Sequence, residues 1–139
     1  MDKQELIKQT QENELIKFLG IKIESVEPER TVLTMEVTPK VHQYIGIMNG
    51  GVSLFLSETA ASIAAVCSAD LTKYAPVGIE INANHLRAVS KGKLTIEAKP
   101  FYNGKSMSVW NVEITNERGK LICISRCSIL HRKGAATVR

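Results

Sequence analysis

Hydrophobic and polar positions along the chain change period near residue 70. Before it, apolar residues recur at helical spacing, interrupted by one short alternating stretch; after it they alternate almost to the end. Residues 4–18 predict a helix, with Leu6, Ile7, Leu15, Phe18 and Leu19 as an apolar stripe and Gly20 as its stop. Ile21–Val26 and Thr31–Val37 predict strands joined by a Pro28-Glu29-Arg30 turn, and Pro39 ends the second. Gly51–Ser68 is apolar on most sides and predicts a buried helix about 27 Å long. Four further strands follow: Val77–Leu86, Leu94–Phe101, Ser106–Thr115 and Lys120–Leu130. In the first of these, Val77, Ile79, Ile81 and Ala83 are expected on one face and Gly78, Glu80, Asn82 and Asn84 on the other. Asn103-Gly104 predicts a type I′ hairpin, and residues 132–139 are expected to fray. Three consecutive hairpin-type connections argue for an antiparallel sheet, and there is no βαβ alternation. A lone buried helix needs a sheet to cover it, so the predicted class is α+β, a curved antiparallel sheet wrapped around one long central helix.

Composition narrows this picture without redirecting it. At 139 residues the chain is expected to form one domain, 1–139, large enough to fold without disulfides or a metal. A net charge of +4, with no basic block interleaved with aromatics, gives no basis for nucleic-acid binding. No run of 18 apolar residues is present, so no membrane span is expected, and the polar, amphipathic first 20 residues do not read as a signal peptide. Cys67, Cys123 and Cys127 form an odd set suited to a reducing cytoplasm. Cys123 and Cys127 would stand about 13 Å apart in a strand, too far to pair.

The candidate chemistry is concentrated in Gln43–Cys67, QYIGIMNGGVSLFLSETAASIAAVC. Glu58 is the one acid in this apolar helix, and no Lys or Arg lies between Lys40 and Lys73 to pair with it. A carboxylate is costly to bury unpaired, so Glu58 is either a working group or a structural acid contacting a strand or a subunit. Ser62, one turn on, is the hydroxyl within reach of it. Gly50-Gly51 before the helix is either a tight loop or an opening that exposes N–H groups to developing negative charge. Gly50 and Glu58 lie eight residues, or about 12 Å, apart on one helix. They can share one reacting atom only if two copies of the helix lie antiparallel, which predicts a twofold dimer with the site between protomers. His42, His85 and His131 show no metal-ligand spacing. Asn82 and Asn84 share a strand face while His85 points the other way, toward a pocket or a structural hydrogen bond.

With these residues in place, the chain resembles the hotdog-fold acyl-CoA thioesterases. It is most similar to the branch that hydrolyses aromatic acyl-CoA or acyl-carrier-protein thioesters in menaquinone and siderophore pathways, related to the phenylacetate-pathway enzymes. The residues that carry the resemblance are Gln43 in the loop, Asn49-Gly50-Gly51 where the family has His-Gly-Gly, Glu58, Ser62, the Gly78–Arg87 segment, Gly104–Trp110 and Ser125-Arg126. The resemblance implies homodimers or homotetramers and thioester hydrolysis, with CoA as carrier of the substrate and no retained cofactor or metal. Glu58 would be general base or nucleophile, and the Gly50 N–H the oxyanion donor. Gln43 and Asn49 would orient the carbonyl, and Ser62 the water or Glu58. Gly51, Phe55, Ile63, Asn82, Asn84 and His85 would line the substrate site, and Arg87, Lys105 and Arg126 would meet the CoA phosphates, as would Lys91. Asn at position 49 can donate a hydrogen bond but cannot carry a proton. A noncatalytic acyl-CoA binder and another hotdog acyl-thioester enzyme, such as a dehydratase, are the alternatives.

Overall fold

The computed structural model describes residues 2–135. Its elements are α1 (Lys3–Gln11), α2 (Glu14–Leu19), β1 (Lys22–Glu27), β2 (Arg30–Val37), a 3-10 turn at Pro39–Val41, α3 (Gly50–Ser68), β3 (Tyr74–His85), β4 (Gly92–Asn103), β5 (Met107–Thr115) and β6 (Leu121–Lys133). One antiparallel sheet of order β1-β2-β4-β5-β6-β3 contains all six strands. Every strand touches α3, so the sheet wraps the helix as an α+β hotdog.

The wrap follows from the residues on α3. Ser53, Leu56, Ser57, Ala60, Ala61, Ala64 and Ala65 recur at three- and four-residue steps and are buried. Their small side chains let the sheet close on the helix. Leu33, Ile96, Trp110, Val112, Cys127 and Ile129 come in from the strands. Trp110 is fully buried, and its indole N–H is satisfied by Ser108 Oγ at 2.9 Å, which in turn meets His131 Nε2 at 3.0 Å. His131 is thus part of the core's polar pinning. By length and composition α3 would also suit a bilayer crossing, but here the sheet covers its apolar face.

Several expectations are corrected. The helix over 4–18 is two helices. Asn13 is extended at ψ 136° and accepts from the Leu15 N–H at 3.1 Å, capping a new helix instead of continuing the first. Gly20 does stop the second, in the left-handed conformation at φ 70°. The β3–β4 connection is a crossover and not a hairpin, because β3 pairs with β6 at the far edge while β4 pairs with β2 and β5. The Asn103-Gly104 turn is not type I′, since neither residue has positive φ. Glycine is needed there for space: a Cβ would stand 2.6 Å from the Tyr102 ring and 2.9 Å from the Met107 carbonyl oxygen. Arg132 and Lys133 are not frayed but pair with Ala75 and Tyr74, and the Gly134 N–H bonds the Lys73 carbonyl at 2.9 Å; residues 136–139 of that tail lie outside the described residues.

The expected faces of β3 hold only beyond its bulge. Register shifts between Gly78, opposite Ile129, and Glu80, opposite Ser128, so Ile79 is the extra residue. Gly78 therefore shares the inner face with Ile81, Ala83 and His85. The bulge brings the backbone of β3 against α3 at one point, which is where Glu58 lies.

Candidate active site

Two separate recesses lie along α3. The first is a cleft of about 360 Å³ at its N-terminus, lined by Gln43, Ile47, Gly50, Ser53, His85 and Arg87 among others. The loop that delivers Gln43 is closed by a His42–Met48 bridge, by the Gln43 N–H bonded to the Ile47 carbonyl at 2.8 Å, and by Gly46 in the left-handed region at φ 81°. The Gln43 side-chain oxygen accepts from the Ile45 N–H, which fixes the amide at the loop mouth.

Helix capping decides which N–H is free. Asn49 is the N-cap, and its Oδ1 accepts from the Gly51 N–H at 2.8 Å while its carbonyl accepts from Val52 N–H at 3.0 Å. The Gly50 N–H is left without an acceptor among the described residues, at the positive end of the helix dipole. His85 lies on the side-chain side of Gly50: a Cβ at position 50 would be 3.0 Å from His85 Nε2. Gly50 is therefore glycine because the imidazole occupies the space where a side chain would go. Asn49 and Gly51 do not line this cleft; they serve the cap.

The second recess, also about 360 Å³, is lined by Phe55, Glu58, Thr59, Ser62, Ile63 and Val66 of α3 and roofed by Leu6, Ile7 and Thr10 of α1. Glu58 is half-buried and makes no hydrogen bond or ion pair among the described residues, Ser62 included. Gly78 leaves it room, since any Cβ there would overlap Glu58 Oε1. The carboxylate's field is felt across the sheet: burial pushes the Cys127 thiol up to about 12, with Glu58 and then Glu80 adding to the rise.

Of the residues predicted for the site, the structure brings Gln43, Gly50, His85 and Arg87 to one recess and Phe55, Glu58, Ser62 and Ile63 to the other. Asn82 and Asn84 are exposed on the outer face of β3, where Asn82 donates to Glu80 at 3.0 Å. Arg126 stacks on Phe101, 4.7 Å from its ring centre, and Lys105 lies near the C-terminal end of α3; both are outside the two recesses. Sequence reasoning missed the roof from α1, the buried Ser53, and Gly78. A glycine inside a strand was the available signal for Gly78, because it marks a close approach.

β3 ties the recesses together. It runs past α3 with Gly78 against Glu58 and His85 against Gly50, and its outer edge is unpaired among the described residues. Glu58 and the free Gly50 N–H are thus both carried beside one open sheet edge, separated along one helix by about 12 Å.

Comparison with known proteins agrees with this architecture. Residues 45–123 match the profile of the thioesterase superfamily. A 1,4-dihydroxy-2-naphthoyl-CoA hydrolase of Listeria monocytogenes is 48% identical over 119 residues, covering 86% of this chain and 96% of that protein. Among solved structures, a mutant thioesterase from Pseudomonas aeruginosa superposes with a TM-score of 0.87 at 32% identity, covering 93% of each chain. The PaaI protein of the Escherichia coli phenylacetic acid degradation operon gives 0.85 at 26% identity, covering 96% of this chain and 95% of that one. The fold, the profile match and the identity to these relatives lead to one conclusion: the chain belongs to the thioesterase superfamily and is a thioester hydrolase of the hotdog fold.

Proposed function

We propose that the protein hydrolyses acyl-CoA thioesters with an aromatic or medium-length acyl group, at sites completed by a second copy of the chain. One observation carries this reading: a free Gly50 N–H and an unpartnered Glu58 carboxylate flank the same open edge of β3 yet face different recesses. Pairing two β3 edges antiparallel about a dyad near Ile81 and Asn82 sets the His85 end of one strand against the Gly78 end of the other. The Gly50 cleft of one protomer then faces Glu58 of its partner. The pairing also covers a strand edge that exposes Val77 and Ile79, a hazard if left open.

In that arrangement the thioester carbonyl oxygen accepts from the Gly50 N–H, whose alignment with the helix dipole stabilises the oxyanion as it forms. Gln43, held at the loop mouth, orients the carbonyl. Glu58 of the partner takes a proton from water as it attacks the carbonyl carbon, or attacks that carbon itself to form an anhydride that water then opens. In both routes the C–S bond breaks and CoA leaves as a thiolate that becomes the thiol on taking up a proton, from protonated Glu58 in the first route and from water in the second. Arg87 lines the same cleft as Gly50, which supports its meeting the CoA portion in this reading. The acyl group enters the apolar recess beside Phe55 and Ile63. The Listeria relative, named for an aromatic CoA thioester, supports that substrate class.

Thiol release from benzoyl-CoA and straight-chain acyl-CoAs tests the reading. Glu58→Ala is expected to lower kcat by about 10²–10⁴, and Gln43→Ala by less. Hydrolysis by Glu58→Ala at the parent rate would overturn the proposal.

A further inference from the structure

The roof of the Glu58 recess is unlike its floor. α1 has no buried residue, and it is fastened at one end. There Gln11 Nε2 donates to the Ile21 carbonyl at 2.8 Å, and Gln11 Oε1 accepts from the Ile23 N–H at 2.9 Å. From that anchor α1 reaches back so that Leu6 and Ile7 lie across an α3 stripe in which Glu58, Ser62 and Val66 and, beside them, Thr59, Ile63 and Cys67 recur at four-residue steps. The stripe is about 12 Å long from Glu58 to Val66. Among the described residues Glu58 is the only charged one lining the recess, which is otherwise mostly apolar. On the far side of Ile7 and Cys67 lies a second cavity of about 540 Å³, lined by Lys3, Glu27 and Glu29 among others. Ile7 and Cys67 are the two residues the cavities share, so they stand at the boundary between an apolar recess and a polar one.

We infer that α1 is the specificity-determining wall of the acyl site: the acyl group lies along the α3 stripe away from Glu58, and Ile7 at the Cys67 boundary sets the longest group that fits. The substrate class is thioesters of elongated, uncharged, apolar acyl groups. An acyl group bearing a negative charge within the recess beside Glu58 is disfavoured, because Glu58, its one charged lining residue among those described, repels it. This inference rests on the hydrolytic reading, in which the acyl carbon sits at Glu58.

The test compares Ile7→Ala and Ile7→Trp across straight-chain thioesters from butyryl- to palmitoyl-CoA. The readout is the ratio of kcat/KM for long over short chains. Ile7→Trp is expected to lower that ratio about tenfold and Ile7→Ala to raise it by a similar factor, the usual range for adding or removing apolar contact in a pocket. A second readout needs no turnover. Cys67 is partly exposed whereas Cys123 and Cys127 are buried, so a maleimide should modify Cys67 alone in the folded protein. In Glu58→Gln, a long acyl-CoA is expected to slow Cys67 labelling while CoA alone does not, and labelling of Cys123 or Cys127 would flag an unfolded variant. Ratios unchanged within twofold in both Ile7 variants, together with Cys67 labelling indifferent to the acyl chain, would overturn the inference. Failure of the hydrolytic reading is separate: it appears as Glu58→Ala retaining full activity, whatever Ile7 and Cys67 do.

Discussion

The two recesses along α3 are built on opposite principles. At the Gly50 end, the group proposed to work is backbone, and its surroundings leave one N–H without an acceptor among the described residues: Asn49 consumes the next donor, the Gln43 loop closes on itself, and His85 fills the space where a side chain at position 50 would go. At the Glu58 end, the group proposed to work is a side chain, set among mostly apolar walls and without a hydrogen-bond or ion-pair partner among the described residues. The first end is preorganised by hydrogen bonds, the second by exclusion. In the proposed reading each has what the other lacks, a donor for negative charge on one side and a base on the other. A site split this way is expected only where symmetry can reunite the halves.

The largest effect should come from breaking each half separately and then mixing them. Gly50→Pro removes the N–H where proline is best tolerated, at the first helical residue, and Asn49 at ψ 130° already has the extended conformation a following proline requires. Relative to Gly50→Ala, which controls for crowding His85, kcat should fall by about 10²–10³. Glu58→Ala disables the other half. Co-refolding equal amounts of the two inactive chains should restore about a quarter of parent activity, because half the dimers are hybrids with one intact site of two. If the mixture stays inactive while both variants dimerise, the halves do not meet across an interface.

A smaller effect sharpens the Gly50 half. Asn49→Ala removes the cap acceptor and should lower unfolding free energy by about 1 kcal/mol in urea melts. Asn49→Asp should keep most of that stability, since aspartate caps equally well, but it sets a negative charge beside the oxyanion position and should lower kcat. Parallel losses in stability and rate for both variants would mean that the side chain acts only as a cap.

The smallest effect lies far from both recesses, in the sheet. Burial alone would raise the Glu97 carboxyl, but Arg30 at 2.6 Å and Lys99 at 3.2 Å more than offset it and hold it below its ordinary value of 4.5. A carboxyl lowered by folding contributes stability above its unfolded value, and that contribution is lost as pH falls through the folded one. Arg30→Ala should therefore cost about 0.5 kcal/mol near pH 7, small because Arg30 is half-exposed. The difference should shrink toward zero as pH drops below about 4, as read by thermal melts across pH. A deficit that persists at low pH would assign the loss to packing.

Local chemistry made much of this legible in the chain itself. Helical spacing, the apolar length of α3 and the alternation after residue 70 determined the α+β class, because periodicity follows from the geometry of a single element. The isolation of Glu58 was visible for the same reason: an acid without a neighbour of opposite charge is a fact about sequence. Asn13, Gly78 and Asn103 mark where that reasoning ended. Whether Asn13 breaks a helix depends on its side chain finding a donor two residues on. The bulge at Gly78 depends on β6 across the strand and Glu58 behind it.

Strand order, too, was settled only in three dimensions. Six strands of similar alternation do not say which edges meet, and β3 at the open edge beside both Gly50 and Glu58 is a consequence of packing around α3. Sequence alone determined which groups were available: a glycine before a helix, an acid within it, an asparagine able to cap. Tertiary structure decided which of their atoms were free to act, because a hydrogen bond or a side-chain contact from a distant strand consumes one donor and leaves the next.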